Sequence, residues 1–409
     1  MIGQQRGDMS GERPQEAHLD TKQPSTHRPL PRRALKVATV TVVLSSYDDY
    51  PIHQTDRPIA HPVSGDPGHY DRYFFNGYNS DGSVYFALAL GVYPNRHVID
   101  ASFSVVQNGK QISLHASARA PLDRMQCTAV GPISIEVLTP LRRLAVRVNS
   151  PEHAIFADLI FEGETIAYEE PHFHLRSGVR DIFSYTRLTQ IGHWDGWLES
   201  HGQRIQLDQS TTFGSRDRSW GVRPVGERVA IGAPTSSPQF YWLWAPVRFA
   251  GFATHFDINE HANGTRWHQT AARLNADDTV VEAQAVDYSI KWQSGTRHMQ
   301  NFQLRYQFGH AQATLDFTPL VHFQMLGLGY GHPEWGHGMW KGEFAQGAQE
   351  WDLPISTPLS PTHLHVQTLC RVAMKDTDGT QHDGMGILET LVIGPHQPSN
   401  FASILDGAQ

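Results

Sequence analysis

Alternation of apolar and polar side chains with a period of two dominates this 409-residue chain, and short turn sequences interrupt it. Residues 99–106 and 111–118 alternate on either side of Asn108-Gly109, which is a strong hairpin signal. The pair Asn263-Gly264 separates two further alternating segments in the same way. No stretch of 12 or more residues keeps the spacing of an amphipathic helix. The pattern predicts an all-β protein of mostly antiparallel sheet with a few short helices.

The length of the chain exceeds what one hydrophobic core usually serves, so we expect two domains. Many strands at short spacing, with 35 glycines and 25 prolines, are typical of sandwiches or closed barrels. The first residues are rich in polar side chains and proline, which is the composition of a disordered tail. We predict a disordered or poorly ordered tail over residues 1–45, a first β domain over 46–225 and a second over 226–409.

The charge, hydropathy and cysteine content limit the kinds of protein that this chain can be. The formal net charge is −8 and the arginines are dispersed, which argues against nucleic acid as a partner. No apolar run approaches the roughly 20 residues that span a bilayer, so we expect no integral membrane segment. Cys127 and Cys370 are too few for a disulfide framework, although one bridge between them is left open. These features predict a soluble, cytoplasmic protein, and the sequence carries no signal of its oligomeric state.

A segment near the middle of the chain packs three arginines, an aspartate and a tryptophan into eleven residues between a glycine and a proline. If the segment is an extended strand, its side chains alternate in direction. One face then carries Asp217 and Ser219, and the other carries Arg216, Arg218 and Trp220. Either face offers polar groups to a pocket.

The central segment also carries a family resemblance. Residues 216–224 read Arg-Asp-Arg-Ser-Trp-Gly-Val-Arg-Pro, which resembles the Arg-Asp-His-x-Trp-Gly segment of the carotenoid 1,2-hydratase (hydroxyneurosporene synthase) and AttH-like superfamily. Residues 72–78, 244–249, 254–257 and 336–343 support the resemblance. It implies two lipocalin-like β-barrels in tandem around an apolar pocket, and chemistry on long apolar ligands without a metal or an organic cofactor.

One position departs from the family pattern. Arg218 stands where the pattern has histidine directly after the aspartate. Arginine stays protonated at any working pH, so it cannot shuttle a proton as histidine can. The resemblance to the hydratase branch is weakened accordingly.

Asp217 is the predicted proton donor. Protonating an alkene requires a neutral acid, and an apolar pocket raises the pKa of a carboxyl group. Arg216 and Arg218 would instead favour its ionised form if they pointed towards it, which would make Asp217 a structural ion-pair partner. On the opposite face they would position polar ends of the ligand.

Aromatic and polar side chains elsewhere complete the predicted site. An aromatic face stabilises a carbocation, and the residues predicted for this role or for ligand contact are Trp220, Tyr241, Trp242, Trp244 and Trp340. His255 and Asp257 stand two residues apart, so on a strand they would share a face and could hold a water molecule or accept the departing proton.

These residues predict a cofactor-independent hydratase, isomerase or cyclase that acts by proton transfer on a small, hydrophobic, terpenoid-like or polyketide-like molecule. Two alternatives remain open. A non-enzymatic lipid carrier would tie Asp217 to an arginine and present no second titratable group to the ligand. A metalloenzyme would bring together the four histidines of two His-x-His motifs, which are His172, His174, His363 and His365. Glu170 or Asp257 would serve as a further ligand.

Overall fold

The computed structural model describes residues 44–227 and 238–409. The predicted tail over residues 1–45 lies almost entirely outside the described residues. In the described ranges the strands pair antiparallel and form two sheets, one of 14 strands and one of 10. The chain is therefore all-β, as the alternation predicts.

The first sheet takes most of its strands from the first half of the chain. They are β1 (His69–Asn79), β2 (Tyr85–Tyr93), β3 (Val98–Gln107), β4 (Lys110–Arg119), β5 (Ala129–Val130), β6 (Ile133–Thr139), β7 (Arg143–Ser150), β8 (Ile155–Gly163), β9 (Tyr168–Glu169), β10 (Phe173–Ser177), β11 (Arg180–Ser200), β12 (Gln203–Leu207), β13 (Thr212–Val222) and, from the second half, β22 (Phe344–Asp352). Strand β13 lies between β1 and β11.

The second sheet contains the remaining strands. They are β14 (Phe240–Trp244), β15 (Val247–Phe249), β16 (Phe252–Glu260), β17 (Arg266–Asn275), β18 (Val280–Glu282), β19 (Ala285–Trp292), β20 (Met299–Phe308), β21 (Ala311–Gln324), β23 (His365–Asp376) and β24 (Gln381–Ile393). Strand β14 pairs with β16 on one side and with β24 on the other.

Helical structure in the described ranges is confined to seven single-turn 3₁₀ segments. They are Ser46–Asp49, Pro94–Arg96, Arg124–Gln126, Pro151–His153, Met325–Leu328, Pro361–His363 and Gln397–Ser399. None of the helices in residues 44–227 and 238–409 has the length and apolar character needed to cross a bilayer. The expectation of few, short helices is confirmed.

Each sheet curls around its own apolar core. In the first sheet β4 and β5, which are near opposite ends of the strand order, come into contact. In the second sheet two residues join β18 to β19, which are the two ends of its order. Leu114 and Trp194 belong to the first core, and Phe256 and Leu304 belong to the second. Burying one large apolar side chain stabilises the fold by about 1.5–3 kcal/mol, and each core contains many such side chains.

A third apolar cluster joins the two sheets. Phe74 and Tyr85 of the first sheet pack there with Trp244 and Phe323 of the second. The ring centroids of Tyr85 and Phe323 lie 4.9 Å apart. This shared cluster holds β1 and β14 close to each other, and the cavity described below opens beside them.

Strand β22 lies in the second half of the chain but belongs to the first sheet. It pairs with β4 along its whole length, from Phe344 opposite Ala118 to Asp352 opposite Lys110. A segment of the second half thus completes the first sheet, and the division into two domains at residue 225 stays a prediction. Cys127 and Cys370, whose pairing the sequence left open, are both buried and free.

Candidate functional site

A cavity of about 650 Å³ is walled by β1, β11 and β13 of the first sheet and by β14 and β24 of the second. Its volume lies in the range of sites for small organic molecules, roughly 300–1,000 Å³. Aromatic and aliphatic side chains form most of the wall, among them Phe74, Tyr185, Phe240, Trp242, Trp244 and Leu391. The polar side chains that reach it include Arg72, Asp217, Arg223, His337, His365 and Glu389.

Asp217 reaches this cavity from the middle of β13. It lies opposite Phe74 of β1 and Thr189 of β11, so its strand is held on both sides. Ser219, two residues on, also lines the cavity. Arg216 and Arg218 lie outside the cavity wall: the Nε of Arg216 donates to Gln190 Oε1 over 2.8 Å, and Arg218 pairs with Asp71.

The carboxyl of Asp217 has no hydrogen-bond or ion-pair partner among residues 44–227 and 238–409. Burial raises its pKa to about 6, against the opposing effect of the nearby Arg187 and Arg72. A carboxyl group with this pKa is neutral in mildly acidic solution and retains a neutral fraction near pH 7. Asp217 can therefore donate a proton into the cavity.

A buried ion cluster lies behind the cavity wall, and Arg187 of β11 links it to the cavity. Its Nε donates to Glu170 Oε2 over 2.8 Å, and its Nη2 pairs with both Glu170 and Asp257. Trp242 Nε1 donates to Asp257 Oδ1 over 2.7 Å, which fixes the indole in the cavity wall. Burial raises the pKa of Asp257, but Arg187 and His268 outweigh it and lower that pKa well below the ordinary range.

This cluster also contains the one group of three metal-type ligands found among the described residues. Ligand atoms of Glu170, Asp257 and His268 lie within 4.8 Å of one another. The guanidinium of Arg187 bonds to both carboxylates of the group, so a protein cation already pairs with them. None of the four histidines of the metalloenzyme hypothesis belongs to this group: His172 contacts Ser184 and Thr186, His174 contacts Asp181, His363 contacts the Thr357 carbonyl and His365 contacts Glu389.

A second titratable pair lines the cavity on the second sheet. His365 Nε2 lies 2.5 Å from Glu389 Oε1, and Gln367 Nε2 donates to the other oxygen of Glu389 over 2.5 Å. Both His365 and Glu389 face the cavity. A proton acceptor is thus available in addition to Asp217.

Two arginines and a histidine form a third polar group in the wall. His337 Nε2 donates to the Leu328 carbonyl over 2.7 Å, which leaves Nδ1 as an acceptor. Arg223 Nη2 lies 3.1 Å and Arg72 Nη1 lies 3.4 Å from that same Nδ1. Burial and the two arginines lower the pKa of His337 well below its ordinary value, so its imidazole is neutral.

Two of the predicted aromatic residues lie away from the cavity. Trp220 is 42% exposed, because alternation along β13 turns it to the face opposite Asp217. Trp340 is 43% exposed, and the guanidinium of Arg119 lies 4.9 Å from the centre of its ring. The predicted catalytic role of Trp220 and the predicted ligand contact of Trp340 are corrected accordingly.

Tyr241 is corrected for the same geometrical reason. Its neighbour Trp242 lines the cavity, so Tyr241 points to the other side of β14, into the core of the second sheet. There its ring stacks on His396 at 3.8 Å and its hydroxyl contacts Tyr288. Trp242 and Trp244 keep the predicted place in the wall.

His255 and Asp257 share a face of β16, but that face belongs to the ion cluster and does not line the cavity. His255 is fully buried, with Nε2 at 3.5 Å from Glu170 Oε1, and Asp257 is held by Arg187. Neither can contact a ligand in the cavity directly. Asp257 is linked to the cavity wall through Arg187 and Trp242.

The sequence interpretation missed several wall residues. Arg72, Arg223 and His337 lie within the segments that carry the family resemblance, but the sequence interpretation assigned them no role of their own. His365 belongs to a His-x-His motif and was interpreted only as a candidate metal ligand. Glu389 had none, because nothing in its local pattern distinguishes it from a surface glutamate.

A family of unknown function (DUF8625) matches residues 44–402. Similar solved structures include an AttH-type protein from Nitrosomonas europaea, with 14% identity over 84% of this chain and 98% of that chain, at a TM-score of 0.48. Kievitone hydratase from Nectria haematococca aligns with 12% identity over 78% of this chain and 88% of its own, also at 0.48.

A third similar structure is CghA with Sch210972, with 13% identity over 80% of this chain and 89% of that chain, at a TM-score of 0.48. Scores and identities at this level carry no inference about chemistry. No curated protein matches the chain. The assignment to the carotenoid 1,2-hydratase branch stays a prediction.

Proposed function

This chain belongs to the DUF8625 family, whose function is not established, and we propose from the chemistry of its cavity that it is a cofactor-independent proton-transfer enzyme. The proposed reaction is hydration, isomerisation or cyclisation of a hydrophobic, terpenoid-like or polyketide-like molecule. One observation carries the proposal: Asp217 faces an apolar cavity without a described partner, and burial raises its pKa to about 6.

In the proposed first step, a carbon–carbon double bond of the substrate takes the proton of Asp217. The π electrons form the new C–H bond, the O–H bond of Asp217 breaks, and the carboxylate keeps that electron pair. The positive charge on the neighbouring carbon lies in a cavity lined by aromatic side chains, Trp242 and Trp244 among them, and aromatic rings stabilise a cation. Attack by water, attack by a second double bond or loss of a proton then leads to hydration, cyclisation or isomerisation, respectively. In each case His365 and Glu389 form the acceptor pair for the departing proton.

The lipid-carrier alternative makes two demands that differ from this arrangement. It requires Asp217 to be paired with an arginine, yet Arg216 contacts Gln190 and Arg218 contacts Asp71. It also requires that no second titratable group face the ligand, whereas His365 and Glu389 both do. These contacts favour catalysis over carriage.

Incorporation of deuterium tests the proposal even while the substrate is unidentified. A metabolite extract of the expression host is incubated with the protein in D₂O, and mass spectrometry seeks molecules that gain a carbon-bound deuterium. We expect labelled products with the wild type and a loss of at least about 100-fold with Asp217→Asn, because general-acid catalysis typically contributes 10²–10⁴-fold.

The matched control is Asp158→Asn, which removes an exposed carboxylate of the first sheet. It should label the same molecules as the wild type. Equal labelling by Asp217→Asn and by the wild type would contradict the role of Asp217. If no molecule is labelled, and the wild type and Asp217→Asn co-purify with the same bound molecule, the result would support the lipid-carrier alternative.

A further inference from the structure

We propose that the ligand of this cavity carries a carboxylate, which binds between Arg72 and Arg223 while an apolar body extends along the opposite wall. The proposal rests on the proposed function only in placing the ligand in the same cavity. It adds the substrate class: a hydrophobic acid.

The two arginines are held side by side by one neutral imidazole. Both contact Nδ1 of His337, at 3.4 Å from Arg72 and 3.1 Å from Arg223, and His337 contributes no charge there because Nδ1 accepts from the arginines and so carries no proton. Tyr330 lies against both cations, with its ring centre 4.5 Å from the Arg72 guanidinium carbon and 5.7 Å from that of Arg223. Two like charges therefore converge on one part of the wall.

No carboxylate of residues 44–227 or 238–409 lies within salt-bridge distance of either guanidinium. The acidic groups nearby are held elsewhere: Asp100 accepts from the Gly338 amide over 2.7 Å and from the Tyr93 hydroxyl over 3.2 Å, and Glu389 is bound by His365 and Gln367. Asp217, the remaining one, is partnered by neither arginine. Arg187, by contrast, pairs with two carboxylates.

Arg72 gives the clearest indication of an anion-binding site. It is only 2% exposed, its Nε has no acceptor among the described residues, and its two hydrogen bonds are long, at 3.4 Å each. The Nε of Arg223 likewise has no acceptor among residues 44–227 and 238–409. Buried cations are normally paired, because desolvation of an unpaired charge is costly. A carboxylate in the cavity would pair with the charges of both guanidinium groups, and the planar fork of arginine suits its two oxygens.

The rest of the cavity selects an amphiphile over a simple anion. Phe183, Phe240, Leu391 and Ile393 line the wall with apolar surface, and a small inorganic anion would leave this surface uncovered. A hydrophobic acid satisfies both parts, since its apolar body gains free energy from burial and its charge meets the arginines.

Fluorescence titration with cis-parinaric acid and its methyl ester tests the inference, because the ester keeps the apolar chain and replaces the carboxylate with an uncharged group. At pH 8 the wild type should bind the acid about tenfold more tightly than the ester or better, as expected for hydrogen bonds to a charged group. Arg223→Gln should remove most of this preference, because it weakens binding of the acid more than binding of the ester. Equal affinity of the wild type for acid and ester would overturn the proposal.

Further arms separate folding effects and simple anions from the proposed recognition. Arg72→Lys keeps a charge at the buried position and should retain part of the preference. Arg204→Gln, at an exposed arginine on β12 that does not line the cavity, should retain all of it. Dodecanoate should displace the probe at concentrations at which inorganic phosphate does not, and equal displacement by phosphate would contradict an amphiphilic ligand.

The outcome is independent of the deuterium experiment. Acid preference without deuterium incorporation would support a carrier of hydrophobic acids and reject the enzyme. Deuterium incorporation with equal binding of acid and ester would support the enzyme and reject the carboxylate.

Discussion

Two aspartates show how the protein shifts the pKa of the same side chain in opposite directions. Asp217 lines the cavity without a described partner, and burial raises its pKa to about 6. Asp257 is also buried, but Arg187 and Trp242 bind its two oxygens, and its pKa lies far below the ordinary range. Pairs of carboxyl groups whose environments separate their pKa values are typical of acid–base sites. Asp217 is suited to donate a proton, and Asp257 to hold Arg187 in place.

The Arg187 cluster leads to a prediction about stability. Arg187→Met should lower the free energy of unfolding by about 3–5 kcal/mol, because it leaves the carboxylates of Glu170 and Asp257 buried without their cation. Urea denaturation measures the change. The control is Arg147→Met on β7, where the exposed pair with Glu136 should contribute less than about 1 kcal/mol. Equally small losses in both variants would contradict the structural role of Arg187.

At the scale of elements, alternation and turn chemistry could be predicted from the sequence. Asn108 and Gly109 both have positive φ, at 52° and 74°, as a two-residue hairpin turn between β3 and β4 requires. The opposite orientation of Asp217 and Arg216 followed from the same period of two. Local patterns sufficed here because both features depend only on residues that are close in sequence.

The same alternation could not tell which face of a strand meets the cavity. Trp220 and Tyr241 are predicted site residues, although each points to the other side of its strand from a true wall residue, Ser219 or Trp242. That choice depends on pairing between distant segments. Arg72, for example, joins Arg223 through a loop residue more than 100 positions further on, His337, and no local pattern encodes that meeting.

At the scale of the whole molecule, the two sheets share side chains and a strand. Phe74 packs against Trp244 with the ring planes at 79°, and β22 of the second half pairs with β4 of the first. The cavity wall takes residues from both sheets and from the segment that precedes β22. Both halves are needed to form the site.

This sharing leads us to expect a single cooperative unfolding transition. Tryptophan fluorescence and far-ultraviolet circular dichroism should report coincident urea curves. Phe74→Ala should shift both curves together to lower urea concentration and lower the free energy of unfolding by about 3–5 kcal/mol, because it leaves a cavity in the cluster between the sheets. Two separate transitions, with only one affected by the substitution, would show instead that the sheets unfold independently.

The pKa of Asp217 is the most direct test of the proposed acid. In protein labelled with ¹³C at the aspartate carboxyl carbons, an NMR titration follows each resonance with pH, and Asp217→Asn identifies the signal by its loss. We predict a midpoint near pH 6, so that the neutral fraction, and with it deuterium incorporation, falls as the pH rises through that value. A midpoint at or below the ordinary value of 3.8 would show that Asp217 is ionised in the folded protein and would contradict its role as proton donor.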